Sequence, residues 1–352
     1  MNIIEYVNHP HDKPVDFNHE VDALILAMAS YFEFEDIFEV NQFPVKLKDL
    51  NVMTKLEEKH SKLRQQHNDL ISSMMKSTRF GELEIIHYEN ELDLQAEHQF
   101  FAITYQLNQQ LFIAFRGTDF SPVGWKEDFN MSFAQYIPAQ NSALNYLNKH
   151  SDQFDCPIYL GGHSKGGNLA VYAAAHSKHK DRIMRIFNFD GPGYNQNFVE
   201  SLQYENILDR IVKYTPHAAI VGRLLDSKEE EIIVDSKNIS FFQHNAYEWK
   251  IEDDHFVYLQ DYSPASNHLI ESIRLWIEEV SEEQRKYIVN EIYDGFLKLD
   301  INSLEDVGQY LSLDTLKTVI DVHKNADPEF KETIRSLLSE FIKEFVNIKK
   351  GI

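Results

Sequence analysis

The sequence predicts an α/β protein with a mostly parallel central sheet, helices on both faces, N-terminal helices and a C-terminal helical subdomain. Between about residues 111 and 234, short apolar runs alternate with helical patterns of about 10–15 residues, which is typical of βαβ units. Hydrophobic residues make up 43% of the 352 residues and aromatic residues 12%, which is enough for a sizeable core.

Residues 18–77 are predicted to be mostly helical. Apolar residues recur there at helical spacing, namely Val21, Leu24, Ile25 and Met28. Asp16 and Asn18 are possible N-caps of this helix. The more polar stretch from Met53 to Met75 predicts a surface helix, and Phe43-Pro44 indicates a loop between the two.

Strand patterns begin near residue 82, with a short run from Leu83 to Ile86. Two aromatic and β-branched runs, Phe100 to Tyr105 and Leu111 to Phe115, are separated by Asn108-Gln109-Gln110 and predict a hairpin. The alternating elements that follow are helices at 123–133, 139–150 and 165–178, and strands at 157–160, 185–189, 210–214 and 231–234.

The last part of the chain shows helical patterns alone. Ser281 with Gln284 forms a capping box, and Asp327-Pro328 is typical of a helix start. We therefore predict a catalytic-type domain over residues 1–265, including the N-terminal helical segment, and a helical cap or packing subdomain over residues 266–352.

Charge and composition exclude several classes of protein. Lys and Arg number 34 against 56 Asp and Glu, a net charge of −22, which argues against nucleic-acid binding and polybasic membrane binding. No apolar run approaches the roughly 20 residues of a membrane span, and the N-terminus lacks a secretory pattern. The single Cys156 allows no internal disulfide and no thiolate metal site. We expect a cytoplasmic protein without stable membrane insertion.

One segment carries a chemical motif. Gly162-x-Ser164-x-Gly166 follows an apolar strand and opens a helix rich in alanine, the context of a nucleophile elbow. The serine of such an elbow lies on a strained turn, and the glycines two residues away allow the backbones to pass closely. The backbone N–H of Lys165 would then point at a developing oxyanion. A glycine-rich turn without chemistry is the alternative.

An upstream strand supplies a second candidate for the oxyanion site. The run from Leu111 to Phe115 ends in Arg116-Gly117-Thr118, where Gly117 permits a turn. Thr118 offers both an N–H and a hydroxyl group, as an acyl-transfer site needs from the loop after an early strand. An ordinary strand-ending turn is the alternative.

Together these motifs resemble the class-three lipase branch of the α/β-hydrolases. The resemblance rests on AFRGT, on W-x-x-D from Trp125 to Asp128, and on GHSKGG. FNFDGPG at 187–193 and QHNAYEW at 243–249 extend it to a bacterial family of that branch, over roughly residues 18–300. It implies an α/β-hydrolase fold, Ser164 as nucleophile, Thr118 and Lys165 as oxyanion donors, and a histidine late in the sheet.

The order of the triad in α/β-hydrolases is serine, acid, histidine. His244 follows the last predicted strand and matches the position of the family's histidine, with His217 as the main rival. His163 is interpreted as a packed core residue. His9, His11 and Asp12 are interpreted as a flexible terminus, not a metal site.

The acid departs from the lipase pattern, because the loop at 215–222 contains no carboxylate. Asp190, at the end of the preceding strand and next to Gly-Pro-Gly, is the preferred candidate, ahead of Asp226. A residue that only caps its own turn is the alternative for Asp190.

The predicted function is that of a serine hydrolase acting on a small ester or related acyl substrate, without a metal or organic cofactor. Thioesters and amides share this chemistry. The alternative is a catalytically silent α/β-hydrolase-fold protein that serves as a binding or scaffold module.

Overall fold

A mixed sheet of nine strands runs through the part of the chain that the computed structural model describes. The described residues are 1–10, 13–34, 43–51, 62–93, 95–118, 122–131, 133–279, 281–283, 285–286 and 290. The strands are β1 (Val45–Lys46), β2 (Glu84–Asp93), β3 (His98–Leu107), β4 (Gln110–Phe115), β5 (Ile158–His163), β6 (Ile183–Phe189), β7 (Ile211–Pro216), β8 (Glu230–Val234), β9 (Ile251–Glu252), β10 (His255–Phe256) and β11 (Tyr258–Leu259).

The strand order in the sheet is β1-β2-β3-β4-β5-β6-β7-β8-β11. Strands β4 to β8 are parallel, whereas β1, β2, β3 and β11 join by antiparallel pairing. β9 and β10 form a separate two-stranded ribbon. This mostly parallel sheet, with helices on its faces, is an α/β-hydrolase fold and confirms the predicted fold class.

The predicted hairpin between β3 and β4 is confirmed, with a shorter loop than the sequence indicated. Gln110 pairs with Leu107, so the loop is Asn108-Gln109 alone. Both loop residues have positive φ, 47° and 59°, as a tight two-residue hairpin turn requires. β2 is also longer than predicted, because it pairs with β3 along almost its whole length.

Helices connect the strands and cover the sheet. They are α1 (Ile3–Asn8), α2 (Glu20–Ala29), α3 (Lys62–Lys76), α4 (Pro122–Asn130), α5 (Pro138–Ser151), α6 (Lys165–His176), α7 (Gln196–Val199), α8 (Leu202–Glu205) and α9 (Pro264–Glu279). No helix within these described ranges is long and apolar enough to cross a membrane.

Two hydrophobic cores lie on opposite faces of the sheet. Successive strand residues alternate between them, since Phe101 and Ile103 pack in the core with α1, α2 and α3, whereas Phe100 and Ala102 pack in the core with α5 and α6. This alternation explains why the central strands are apolar at nearly every position, as buried parallel strands are.

The N-terminal segment corrects one expectation, the N-cap of α2. Neither Asp16 nor Asn18 caps α2, because the N-cap is His19 and the Asp16 carboxylate instead accepts from the Asn18 backbone N–H at 2.9 Å. Before the segment from His9 to Asp12 that is predicted to be flexible, the chain packs against the rest of the protein, since Ile3 is fully buried in α1 and Met1 N donates to Ile251 O at 2.7 Å. His11 and Asp12 lie outside the described residues.

The C-terminal segment is described only at its start. In α9, Ser266 Oγ donates to Ala219 O at 2.6 Å, and Ile270 is buried, so this helix packs on the loop after β7. Gln284 of the predicted capping box, the predicted helix at Asp327-Pro328, and residues 52–61 of the predicted surface helix lie outside the described residues.

Candidate active site

Ser164 occupies a sharp turn between β5 and α6. Its φ of 58° and ψ of −134° are unusual for a residue with a side chain, and such strain is concentrated at functional sites. The turn is held by the neighbouring strand, because Ser164 N donates to Phe189 O at 2.9 Å. Ser164 is partly accessible, whereas the residues beside it are buried.

The motif glycines permit three backbones to meet at this turn. A Cβ on Gly162 would lie 2.2 Å from the backbone carbon of Gly166, and one on Gly166 would lie 2.1 Å from Phe115 O. Because those neighbours are backbone atoms, they cannot move aside as a side chain would. The elbow therefore needs glycine at both positions.

The end of β4 brings Thr118 to the elbow. A Cβ on the preceding residue, Gly117, would lie 3.1 Å from Ser164 Cβ and 2.5 Å from His163 O, so this backbone lies directly against the serine turn. The Thr118 hydroxyl donates to the carboxylate of Asp128 in α4. Burial raises the pKa of Asp128 to about 6, against the opposing effects of the Lys165 charge and the Thr118 hydrogen bond.

His244 and Asp190 are joined by a hydrogen bond. His244 Nδ1 lies 2.6 Å from Asp190 Oδ2, and the carboxyl group is completely buried. Asp190 Oδ1 accepts from Gly222 N at 3.1 Å, and Asp190 N donates to Tyr214 O at 2.8 Å. Burial raises the pKa of Asp190, while the bond to His244 and the nearby charge of Lys213 lower it. The contact that a triad of Ser164, Asp190 and His244 requires between its acid and its histidine is thus present.

His163 holds the His244 segment against the elbow. His163 Nε2 lies 2.8 Å from His244 O, and the two rings are 4.6 Å apart. Because a carbonyl oxygen only accepts, Nε2 carries the proton. Burial, with the neighbouring His244, places the pKa of His163 well below its usual value, so the ring is neutral. The Tyr31 hydroxyl lies 3.2 Å from His163 Nδ1, which is left as an acceptor.

The loop that carries His244 is fixed by its neighbours in the QHNAYEW segment. Trp249 Nε1 donates to Gln243 O at 2.8 Å, and Gln243 Oε1 accepts from Ala218 N at 2.7 Å. Trp249 is fully buried. The aromatic residue five positions after His244 therefore anchors the histidine to the core.

The part of the chain that carries this site matches a known protein family. A family model matches residues 74–294, more than half of the chain, and this range contains Thr118, Ser164, Asp190 and His244. The chain belongs to the Mbeg1-like family. No curated protein matches the chain.

Several solved lipases are similar to this Mbeg1-like chain. The Lip2 lipase from Yarrowia lipolytica shares 15% identity at a TM-score of 0.34, with 46% of this chain and 69% of that chain covered. Lipase II from Rhizopus niveus shares 13% identity at a TM-score of 0.37, with 61% of this chain and 78% of that chain covered. A triacylglycerol lipase from Penicillium expansum shares 11% identity at a TM-score of 0.33, with 50% of this chain and 74% of that chain covered.

The rival candidates lie elsewhere in the Mbeg1-like chain. His217 Nδ1 lies 2.7 Å from Asp261 O, at the surface. Asp226 is exposed and forms an isolated bridge with Tyr194. The loop at 215–222 lacks a carboxylate, but through Gly222 it donates a backbone hydrogen bond to the acid on the neighbouring strand.

Sequence reasoning missed two acidic residues beside the elbow. Asp128 was noted only as part of a motif, and the completely buried Glu127 was not noted. The signal available in the sequence was the run Lys126-Glu127-Asp128. It places three charged residues in a row, on a predicted helix between Thr118 and the elbow. Among the described residues, no group of three His, Cys, Asp or Glu side chains could hold a metal ion.

Proposed function

We propose that the chain is a serine hydrolase of lipase or esterase type, which cleaves a carboxylic ester or a related acyl substrate through an acyl-enzyme. One observation carries this proposal. A serine in a strained strand-to-helix turn lies next to a histidine segment whose ring is bonded, at 2.6 Å, to a buried carboxylate. Serine, imidazole and carboxylate in this chain order form the catalytic unit of α/β-hydrolases.

In the first half of the reaction, Ser164 Oγ attacks the acyl carbon and its proton passes to His244 Nε2. Asp190 fixes the imidazole through Nδ1 and stabilises the imidazolium that forms. The oxyanion is stabilised by the backbone N–H of Lys165, which has no acceptor within its own helix as the first residue of α6, and by Thr118. The C–O bond to the alcohol then breaks, and His244 returns the proton to the leaving oxygen.

In the second half, water attacks the acyl-enzyme. His244 accepts a proton from the water, and the carboxylic acid leaves as Ser164 regains its proton. No metal or organic cofactor takes part in these steps. Thioesters and amides follow the same route with a different leaving atom.

A fluorophosphonate probe tests the proposal without knowledge of the substrate. The serine oxygen bonds to phosphorus, fluoride leaves, and the serine proton passes to the histidine, so only an activated serine is labelled. We expect one label per chain, lost in Ser164→Ala and retained in Ser142→Ala, which removes a hydroxyl near the surface. Labelling that persists in Ser164→Ala would refute the assignment.

The silent binding or scaffold module is the competing outcome. It derived support from the missing carboxylate in the loop at 215–222, and the carboxylate of Asp190 at His244 weakens that support. A correctly folded, unaltered protein that takes no label and hydrolyses no p-nitrophenyl ester would favour the silent module.

We also propose a cytoplasmic location, based on the net charge of −22 and the single cysteine. Fractionation of source cells, followed by immunodetection, would contradict this if the protein were found outside the cytoplasmic fraction.

A further inference from the structure

A buried ion pair is formed by the side chain of Lys165, the residue that follows Ser164 at the elbow. Lys165 Nζ is 2.7 Å from Glu127 Oε2, and the two side chains are 1% and 0% exposed. Removing both charges from water costs free energy that their attraction repays only in part, and apolar residues of similar size often serve stability as well. Stability alone therefore does not explain why charges occupy these two positions.

The ammonium group of Lys165 is fully engaged within the protein. Besides Glu127, it donates to Gln99 O at 3.0 Å and to Gln99 Oε1 at 2.8 Å. An ammonium has three N–H donors, and all three are used. The side chain is thus not available to bind substrate, and any effect on the reaction must act through the position of other groups.

The pair connects the two halves of the proposed oxyanion site. Lys165 directly follows Ser164, and its own backbone N–H is one proposed donor. Glu127 directly precedes Asp128, whose carboxylate accepts from the hydroxyl of Thr118, the other proposed donor. The ion pair is therefore a direct link between α6, which begins at the elbow, and α4, which holds Thr118.

The carboxylate of Glu127 has hydrogen-bond partners besides Lys165. Its Oε1 accepts from Ala139 N in the first turn of α5 at 2.9 Å, and its Oε2 also accepts from Gln99 N at 3.3 Å. The carboxylate thus joins β3, α4, α5 and α6 at one point. A group held by three elements cannot shift without breaking several hydrogen bonds.

We propose that the Lys165–Glu127 ion pair positions the oxyanion site, by fixing α4 and its Asp128–Thr118 hydrogen bond relative to the first turn of α6. This inference rests on the proposed hydrolase function. Donors stabilise an oxyanion only when they lie about 2.7–3.1 Å from it, and a displacement of about 1 Å can cost on the order of 10²-fold in rate. The side chains of Lys165 and Glu127 thus have a positioning role. This role is separate from that of the Lys165 backbone N–H, which is a proposed oxyanion donor.

Three variants separate positioning from stability. Lys165→Met removes the cation at similar length but leaves a buried carboxylate without its partner, so it lowers the thermal midpoint. The double variant Lys165→Met with Glu127→Gln removes both charges and keeps a side-chain oxygen for Ala139 N. Glu127→Gln alone keeps the size of the side chain but leaves the Lys165 ammonium without its anionic partner, so it also lowers the thermal midpoint. It covers the case in which Lys165→Met does not fold.

The readout is the labelling kinetics of Ser164 with the fluorophosphonate, resolved into the maximal rate kinact and the half-saturating concentration KI. We expect kinact to fall about 10- to 100-fold in the double variant, with KI within about threefold, although the thermal midpoint returns toward that of the unaltered protein. Glu127→Gln should lower kinact by about tenfold.

Lys126→Met is the matched control. It removes a second buried lysine, on α4, whose Nζ pairs with the partly exposed Glu97 at 2.7 Å. We expect it to label at nearly the unaltered rate. A double variant, or a folded Glu127→Gln, that labels at the unaltered kinact would overturn the inference alone, whereas an unaltered protein that takes no label would overturn the proposed function with it.

Discussion

Asp190 is the residue on which the proposed triad depends most. It lies at the end of β6, has a φ of 50°, and is completely buried with both carboxylate oxygens engaged, by His244 and by Gly222 N–H. A residue that only capped its own turn would not need a partner 54 positions away in the chain. The geometry therefore favours an orienting role over the turn-capping alternative.

The first prediction concerns this carboxylate. Asp190→Asn keeps the shape and the bond from Gly222 but favours the wrong imidazole tautomer, so kcat on p-nitrophenyl butyrate should fall on the order of 10³- to 10⁴-fold. Asp226→Asn, on the exposed rival, should change kcat less than about threefold. Similar losses in the two variants would remove Asp190 from the triad.

The second prediction concerns His67, whose Nδ1 lies 2.8 Å from the Tyr247 hydroxyl. Burial, assisted by the charges of Arg116 and Arg64, lowers the pKa of His67 to about 3. As pH falls below about 6.5, the unfolded chain binds a proton at this histidine and the folded chain does not, so stability is lost until about pH 3.

In His67→Gln this contribution disappears. Between pH 6 and 4, the free energy of unfolding should then fall less steeply than in the unaltered protein, by about 1.4 kcal/mol per pH unit. Urea denaturation at several pH values measures both slopes. Equal slopes in the two proteins would show that His67 becomes protonated in the folded state over this range.

At the scale of elements, the site is assembled where β4, β5 and α6 meet. Each contributes one part: β4 leads to Thr118, β5 to Ser164, and α6 begins with the N–H of Lys165. The parallel register aligns these ends, since Phe115 of β4 lies opposite Gly162 of β5. Side-chain chemistry at the elbow thus depends on backbone contacts between the three elements.

The third prediction tests this contact through Gly166→Ala. The added Cβ would lie 2.1 Å from Phe115 O, a backbone atom, so the free energy of unfolding should fall by about 3 kcal/mol. Gly81→Ala is the milder comparison, because its Cβ would lie 3.1 Å from the nearest atom, Met75 O. Chemical denaturation compares them, and an equally stable Gly166→Ala would contradict the close approach.

At the scale of the whole molecule, charge dominates the surface. The chain carries 56 acidic against 34 basic residues, so its mean field repels anionic surfaces. Some large apolar side chains are nevertheless exposed, including Ile239 before the His244 turn, at 78%, and Phe129 on α4, at 43%. Attraction through such residues would favour binding to lipid bilayers, whereas repulsion through the net charge would oppose binding to anionic bilayers.

The fourth prediction follows from that balance. At about 0.1 M salt the protein should not co-sediment with phosphatidylglycerol vesicles, because repulsion of the net charge exceeds what a few separate apolar side chains contribute. Phosphatidylcholine vesicles, which lack net charge, are the control. Tight binding to both kinds would indicate a continuous apolar surface and would move the proposal toward an interfacial lipase.

Local patterns were sufficient for the order of strands β2 to β8 along the chain and for the elbow. The strand, the glycines and the alanine-rich helix around Ser164 are adjacent in the chain, and their hydrophobic period and backbone freedom are properties of those residues alone. The same holds for the β3–β4 hairpin, whose predicted loop was one residue longer than the loop in the structure. Helix α1 was not predicted, because its apolar residues, such as Ile3, are buried by partners far away in the chain.

The sequence by itself therefore determined the fold class and the candidate nucleophile, since both depend on neighbouring residues. Only the tertiary structure decided which side chains meet the elbow. The bonds of Asp190 to His244, of His163 to the His244 carbonyl and of Lys165 to Glu127 span 54, 81 and 38 positions. Such contacts depend on how strands are ordered in the sheet and how its helices pack, and the pattern within one segment does not determine these.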